Sequence, residues 1–280
     1  MALTDAAVAL NRFGLGARPT DTPPADPKAW LTDQLGRFEP RPAALSAQPR
    51  TVSAAADYIA RQREVAQARQ SSEQDRMAAR RMLVADARDD YQDAVNARAA
   101  VALSTDTPFV ERLVHFWSNH FAISTEKPQV VALAGAFEAD AIRPHVLGRF
   151  EDMLVAVERH PAMQIYLDQI LSVGPGSVQA TRVAQRPAGR KLGLNENLAR
   201  EIMELHTLGV RSGYSQADVT EFARAMTGWS IGGLGPGGGQ LANAAPGDFL
   251  FRPPLHEPGA RTIMGRRYDQ LGEGQARAVL

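Results

Sequence analysis

The sequence lacks cysteine altogether and carries no excess charge of either sign. Without thiols the chain forms no disulfide, and it has no cysteine nucleophile and no thiolate metal ligand. Lys and Arg together number 31, as do Asp and Glu, so the formal net charge is zero. Non-specific nucleic-acid binding needs a surplus of cations facing phosphates, so this balance predicts that nucleic acid is not a partner.

Long apolar runs are missing as well. The longest, Val130–Phe137, is far shorter than the roughly 20 apolar residues of a membrane-spanning helix, so no transmembrane segment is predicted. Near the N-terminus, Asp5 stands where a signal peptide would be cationic, and Asn11 and Arg12 interrupt the apolar stretch. No export signal is therefore expected. The compartment stays open, because a chain without thiols suits a reducing or an oxidising one.

The common nucleophile and nucleotide motifs do not occur. The sequence contains no G-x-S-x-G and no P-loop. Gly233–Gly238 fits the letters of G-x-G-x-x-G, but it lies in a glycine-rich stretch without the preceding strand and following helix that a dinucleotide site needs. We interpret this match as accidental.

Proline, glycine and charge divide the chain into four parts. Residues 1–50 hold a short N-terminal helix and a proline-rich lead-in. Residues 51–107 contain neither Gly nor Pro and carry mixed charges, which is typical of long exposed helices, and a break is expected near Ser71–Ser72. Residues 108–229 hold closely spaced amphipathic segments that predict antiparallel helix neighbours. Residues 230–280 begin with a Gly/Pro-rich loop.

The predicted fold class is mostly α. We expect a multi-helix orthogonal or antiparallel bundle with a long exposed helical arm and a small β-ribbon near the C-terminus, formed by strand segments Phe249–Phe251 and Thr262–Tyr268. Ser215 and Asp218 predict a capping box that opens the last core helix. The mixed charges of the arm favour a solvated face, and a surface for a protein partner is the alternative.

The helix predicted after Pro108 ends in a histidine on its apolar side. The spacing i, i+3, i+4, i+7 places Leu113, Phe116, Trp117 and His120 on one stripe, which we predict to be buried. A buried histidine must be neutral with its ring nitrogens hydrogen-bonded, or it must bind something else. His120 is therefore either a core histidine bonded to a backbone carbonyl or a metal-binding or catalytic residue.

A second helical segment, capped by Asn195, carries acidic side chains beside its apolar side. Asn197, Glu201 and Glu204 recur at i, i+4 and i+7 and so share one face. If that face is covered, two carboxylates about 5–6 Å apart repel each other and need a cation, an arginine or a shared proton. If the face is exposed, they are ordinary surface carboxylates.

Long motifs along the chain resemble those of one family. In chain order they are LNRFGLGARP (Leu10–Pro19), HFWSNHF (His115–Phe121), IRPHVLGRF (Ile142–Phe150), PAMQIYLD (Pro161–Asp168), NENLAREIMELHTLGV (Asn195–Val210), GYSQADVTEFARAMTGW (Gly213–Trp229) and the spaced Phe251, His256, Gly259, Gly265 and Tyr268. Over nearly its whole length the chain resembles the bacterial domain-of-unknown-function family 1800. The resemblance implies a helical fold without an assigned biochemistry. Members are often exported and usually longer at the C-terminus, which implies a further C-terminal portion that this chain lacks.

The ionisable residues of these motifs predict a shared pocket. The set is His115, His120, Asp168, Glu201, Glu204, His206 and His256. These residues come from separated segments, and packing alone would be satisfied by Leu or Ala at most of the positions. We predict that His115, His120 and His206 bind a divalent metal such as Zn, Mn or Fe. Glu201 or Glu204 would ligate it or act as general base in hydrolytic or redox chemistry.

The alternative is a non-enzymatic helical assembly or protein-binding module. The same polar groups would then form a buried hydrogen-bond network that specifies one packing of the helices. Geometry separates the two hypotheses, because a site requires these side chains to converge, whereas distances of more than about 10 Å would remove its basis.

Overall fold

The structure is a computed structural model that describes residues 4–16, 21–68, 72–185, 192–235 and 244–280. It confirms the predicted fold class, with mostly helices and little sheet. The α-helices are α1 (Asp5–Phe13), α2 (Pro27–Arg37), α3 (Ala43–Ser46), α4 (Thr51–Gln67), α5 (Glu73–Ser104), α6 (Pro108–His120), α7 (Pro128–Phe137), α8 (Phe150–Arg159), α9 (Pro161–Tyr166), α10 (Val178–Ala184), α11 (Asn197–Glu201), α12 (Gln216–Met226) and α13 (Glu273–Val279). Two π-helical turns, Glu138–Ile142 and Ile202–His206, directly extend α7 and α11.

Proline and short polar residues set where the helices begin. Proline is the first residue of α2, α6, α7 and α9. An N–H at this position has no partner within the helix, so its absence in proline costs no hydrogen bond. Ser72 caps α5 by accepting a hydrogen bond from the N–H of Asp75, which confirms the predicted break, although Ser71 lies outside the described residues. Ser215 and Asp218 cap α12 reciprocally, so the predicted capping box is confirmed.

The helical arm consists of α4 and α5. The first half of α4 belongs to the core and buries Tyr58. The 32-residue α5 buries only Ala87, Ala97 and Val101, so most of its surface faces solvent, as predicted. Neither α5 nor any other helix in the described part of the chain is long and apolar enough to cross a membrane.

The core forms around α7, which packs against α4, α5 and α9. Val130, Leu133 and Phe137 of α7 are buried in the main apolar cluster. Helix α5 approaches closely, because a Cβ added at Gly135 would lie 2.5 Å from Cβ of Ala94. Packed side chains never come so near, so glycine is what allows the two helices to touch here.

Two short ribbons lie in the C-terminal part. Strand β1 (Trp229–Ile231) pairs antiparallel with β2 (Phe249–Phe251), and β3 (Arg261–Ile263) pairs antiparallel with β4 (Arg266–Tyr268). The predicted strand at Phe249–Phe251 is confirmed, but its pairing with Thr262–Tyr268 in one ribbon is wrong. Phe249–Phe251 pairs with Trp229–Ile231, and the segment Thr262–Tyr268 contains most of a hairpin that pairs with itself. Residues 236–238 of the G-x-G-x-x-G match lie outside the described residues.

A buried ion pair joins α6 to the turn that follows α7. Arg143, 1% exposed, donates to both carboxylate oxygens of Glu111 at 2.9 and 2.6 Å. Its Nε donates to the carbonyl oxygen of Pro40 at 2.7 Å, and its guanidinium lies 5.5 Å from the ring centre of Phe38. Oε1 of Glu138 lies 3.8 Å from Nη1 of Arg143, so two carboxylates face this arginine.

The buried face of α6 differs from the predicted one. Phe116 is 58% exposed and the other three residues of the predicted stripe are half-buried, so that prediction is wrong. Val110, Glu111 and Val114 form the buried face instead. The apolar pattern misplaces the face because Glu111, neutralised by Arg143, occupies a position that an apolar residue fills in a simple amphipathic helix.

Candidate functional site

Two imidazoles meet where the end of α6 contacts the π-helical turn Ile202–His206. Nε2 of His120 lies 3.0 Å from the backbone oxygen of His206 and therefore donates its N–H to that carbonyl. The two ring centres are 6.2 Å apart. Two of the three histidines predicted to bind a metal are thus neighbours, and His120 makes the carbonyl bond expected of a core histidine.

His206 also contacts a carboxylate that the sequence analysis missed. Its Nδ1 lies 2.8 Å from Oε1 of Glu158, and both side chains are buried. Within the described residues no hydrogen bond reaches Oε2 of Glu158, although this oxygen is buried too. Burial raises the pKa of Glu158 above its ordinary value and outweighs the bond to His206, which lowers it. We refer to these two residues as the Glu158–His206 dyad.

Glu158 has a signal in the sequence. The buried side of α8 includes Leu154 and Val157, and Glu158 follows Leu154 by four residues, so it lies on the same face. A charged residue at a buried position of an amphipathic helix needs a partner. The spacing of the apolar residues alone does not single out this acid.

The Glu158–His206 contact has the geometry of a carboxylate that orients an imidazole. Because Glu158 occupies Nδ1 and fixes the orientation of the ring, the remaining nitrogen, Nε2, is the one left to exchange a proton. Within the described residues no hydrogen bond uses Nε2. The same relationship between a buried carboxylate and an imidazole orients the histidine base of hydrolytic triads.

Of the two carboxylates predicted to be catalytic, Glu201 acts electrostatically on Glu158 of the dyad. Burial is the largest cause of the raised pKa of Glu158, and the charge of Glu201 raises this pKa further. Glu204 lies in the π-helical turn, and no hydrogen bond or ion pair within the described residues involves it. The predicted common face assumes 3.6 residues per turn, but hydrogen bonds from i to i+5 change that register after Glu201.

His115 lies on another side of α6. Five residues separate it from His120, which is about 140° around an α-helix. It is half-buried and lines a cleft of about 330 Å³ between α5, α6 and α7. Burial lowers the pKa of His115 below its ordinary value, and nearby Arg98 lowers it further, against the opposite effect of Glu138.

The predicted metal ligands do not form one ligand set. In the ranges that the structure describes, no group of three or more His, Asp or Glu side chains could hold a metal ion. His120 and His206 are neighbouring imidazoles without the third protein ligand of a catalytic zinc site. Metal binding by His115, His120 and His206 stays a prediction.

Aromatic side chains surround His120. The ring centres of Phe121 and Trp117 lie 4.6 and 5.3 Å from that of His120, and those of Phe116 and Phe150 each lie 6.3 Å away. Phe116 is 58% and Phe150 40% exposed. An exposed aromatic surface, formed by Phe116 and Phe150, therefore adjoins the histidines.

The other residues of the predicted set have their own partners. Asp168 accepts a hydrogen bond of 2.7 Å from Nζ of Lys127, which also donates to two backbone carbonyls at the end of α9. Nδ1 of His256 lies 2.8 Å from the backbone oxygen of Thr227. Both residues therefore have hydrogen-bond partners that do not belong to the Glu158–His206 dyad.

Comparison with known proteins identifies one family model. The model described as "Protein of unknown function (DUF1800)" matches residues 8–280, a range that contains the dyad and the cleft. No curated protein and no solved structure matches the chain.

Proposed function

The chain belongs to the DUF1800 family of unknown function, and we propose that it is a hydrolytic enzyme that uses His206 for acid–base catalysis. Nε2 of His206 takes a proton from the attacking water and returns it to the leaving group. Glu158 is a positioning residue, because it holds the ring through Nδ1 and offsets the positive charge that develops on the imidazole.

The observation that carries this proposal is the buried Glu158–His206 contact of 2.8 Å with one carboxylate oxygen left without a partner. An unpaired buried polar atom is costly, and six other buried side-chain atoms of the described residues share this property, so what sets Glu158 apart is that its unpaired oxygen lies beside an oriented imidazole. An unpaired buried oxygen beside an oriented imidazole is typical of a group kept for proton transfer. Glu201, whose charge acts on Glu158, adds a third titratable side chain.

The exposed aromatic surface gives the side from which a substrate approaches. His206 is 4% exposed, and its ring neighbours that of His120, beside which Phe116 and Phe150 are exposed, so in the proposed reaction the substrate enters past His120. Their rings suit an apolar group of the substrate. An ester or phosphoester with an apolar substituent is therefore the substrate class we expect.

The proposed hydrolysis uses protein side chains alone. His120 and His206 supply two imidazoles, fewer than the three protein ligands of catalytic zinc sites, and the predicted His115 lies on another side of α6. Element analysis of purified protein tests the metal prediction separately. A divalent metal at one equivalent, lost from the His206→Gln variant, would support it, and protein without metal would contradict it.

The test is hydrolysis of a panel of p-nitrophenyl esters and phosphoesters that range from acetyl to phenyl-substituted. We expect His206→Gln to lower the rate by about 100- to 10,000-fold, the range of a general base. Glu158→Gln, which keeps the shape of the side chain, should lower it as well. The matched control is His145→Gln, since His145 is half-buried in the turn Arg143–His145, makes no contact with the dyad within the described residues and should leave the rate unchanged.

Two results would contradict the proposal. One is that the unsubstituted chain hydrolyses no member of the panel above the rate of buffer. The other is that His206→Gln and His145→Gln give equal rates while both remain folded. Either would favour the non-enzymatic alternative, in which the dyad only specifies helix packing.

A further inference from the structure

The cleft between α5, α6 and α7 has a polar end and apolar walls. Helix α6 lines it with His115, Ser118 and Asn119, and Arg98 of α5 lies at the same end. The walls elsewhere are mostly apolar, although Gln48, Tyr91 and Thr125 also line them. The apolar residues include Leu45, Val95, Ile123, Ala134 and Phe137. An apolar cleft with a few convergent polar groups is the usual form of a small-molecule site.

The acidic residue of the cleft is already neutralised. Oε2 of Glu138 accepts hydrogen bonds from Nε of Arg98 at 2.7 Å and from the hydroxyl of Ser118 at 2.8 Å. Arg143 lies 3.8 Å from its other oxygen. Glu138 therefore orients Arg98 and does not need a cation from a ligand.

Donors remain at the same end of the cleft. Within the described residues, no hydrogen bond uses the two Nη groups of Arg98 or the ring nitrogens of half-buried His115. A guanidinium held through Nε presents its Nη groups as a fork that matches the two oxygens of a carboxylate. His115 supplies one more N–H donor, because its neutral ring carries a single proton.

From this arrangement we propose that the cleft binds a small monocarboxylate with an apolar or aromatic tail. The carboxylate lies against the Nη groups of Arg98 and the ring of His115, and the tail lies along Val95, Ile123 and Phe137. A water molecule occupies about 30 Å³ in the liquid, so the cleft of about 330 Å³ has room for roughly ten non-hydrogen atoms. The proposal does not depend on hydrolysis at His206.

The test compares three ligands that differ only at the head group: 3-phenylpropanoate, 3-phenylpropan-1-ol and 3-phenylpropan-1-amine. Isothermal titration calorimetry of the full chain should show the carboxylate binding with a Kd of about 1 mM or below, as ligand efficiency allows for about eleven atoms. We expect the alcohol and the amine to bind at least about tenfold more weakly, because a charge-assisted hydrogen bond is lost.

Variants locate the site. Arg98→Met should weaken carboxylate binding by about 10- to 100-fold, while Arg88→Met, an exposed position on the same helix, should leave it unchanged. Arg98→Met also removes the partner of Glu138, so a second variant, Ala122→Trp, fills the mouth of the cleft from an exposed position and should abolish binding without loss of folding.

The proposal is overturned if the carboxylate fails to bind, if the alcohol or the amine binds as tightly, or if Ala122→Trp binds like the unsubstituted chain. Equal affinities of Arg98→Met and Arg88→Met would overturn the role of Arg98. Hydrolysis at His206 is measured separately, so the failure of one proposal is distinguishable from the failure of the other.

Discussion

Replacing Arg143 by methionine should lower the free energy of unfolding by about 3–5 kcal/mol, the cost of leaving one member of a buried ion pair without its partner. Arg143 is 1% and Glu111 2% exposed, so water cannot take the place of the lost guanidinium. Methionine fills a similar volume and removes all the donors. The carboxylate of Glu111 would then remain in the interior with neither of its hydrogen bonds from Arg143.

The opposite replacement should cost less. In Glu111→Gln the side-chain oxygen still accepts one hydrogen bond from Arg143, which keeps the carbonyl of Pro40 and the nearby carboxylate of Glu138. We expect a loss of about 1–3 kcal/mol, the range for one altered hydrogen bond to a charged group. The two costs differ because Arg143 keeps other partners when Glu111 is replaced, whereas Glu111 loses both of its hydrogen bonds from Arg143 when Arg143 is replaced.

Urea unfolding followed by circular dichroism measures both variants, together with the double variant Glu111→Leu/Arg143→Met. Because the double variant leaves no charge behind, its cost should be smaller than that of Arg143→Met alone. The expectation is refuted if Arg143→Met costs less than about 1 kcal/mol, or if the double variant costs as much as Arg143→Met alone or more.

Three further predictions concern packing, titration and capping. Gly135→Ala should cost about 1–3 kcal/mol in urea unfolding, because its Cβ would meet Ala94 at 2.5 Å, whereas Gly36→Ala, with open space around it, should be stabilising by about 0.5–1 kcal/mol; equal effects would contradict the packing argument. Burial lowers the pKa of His160 from 6.5 to about 3. Below pH 6.5 this histidine therefore binds a proton in the unfolded chain but stays neutral in the folded chain. The free energy of unfolding therefore decreases by about 1.4 kcal/mol per pH unit as pH falls from 6.5 towards 3. Between pH 7 and pH 5 the His160→Asn variant should lose less stability than the unsubstituted chain, and identical losses would contradict this prediction. Ser215→Ala should lower the free energy of unfolding by about 1 kcal/mol, and an unchanged urea midpoint would show that the capping box contributes nothing.

The helices that the sequence predicts well are those with local signals. Pro108 and the pair Ser215 and Asp218 mark helix starts, because their effects depend on neighbours within one turn. The Gly- and Pro-free stretch likewise identifies the long α5 without knowledge of its surroundings. Propensity and capping act over a few residues, and this is why they can be recognised from one sequence.

The site was only partly predictable because it depends on contacts between distant segments. His206 was identified, but Glu158 lies 48 positions away along the chain and was not connected with it. The buried face of α6 was misplaced because the partner of Glu111 comes from a different element. The face predicted for Glu204 from α-helical spacing is also wrong, because no sequence pattern predicts the π-helical turn that begins at Ile202.

The predicted role of the helical arm as a surface for a protein partner remains a prediction. Its exposed face mixes both charge signs, and Arg61 pairs with Asp86 and Asp90 between the two helices of the arm. Such exposed pairs contribute little to stability.

Each of the two π-helical turns carries a residue used by one of the proposed sites. Glu138 begins the turn that extends α7 and anchors Arg98, and His206 ends the turn that extends α11 and meets Glu158. A π-helical turn contains one residue more than a regular helix needs, so the orientation of these side chains depends on a count of residues as well as on their chemistry. Deleting a single amino acid from either turn would restore regular α-helical winding and change which side chains face the two proposed sites, so the number of residues in each turn helps to set the geometry of these sites.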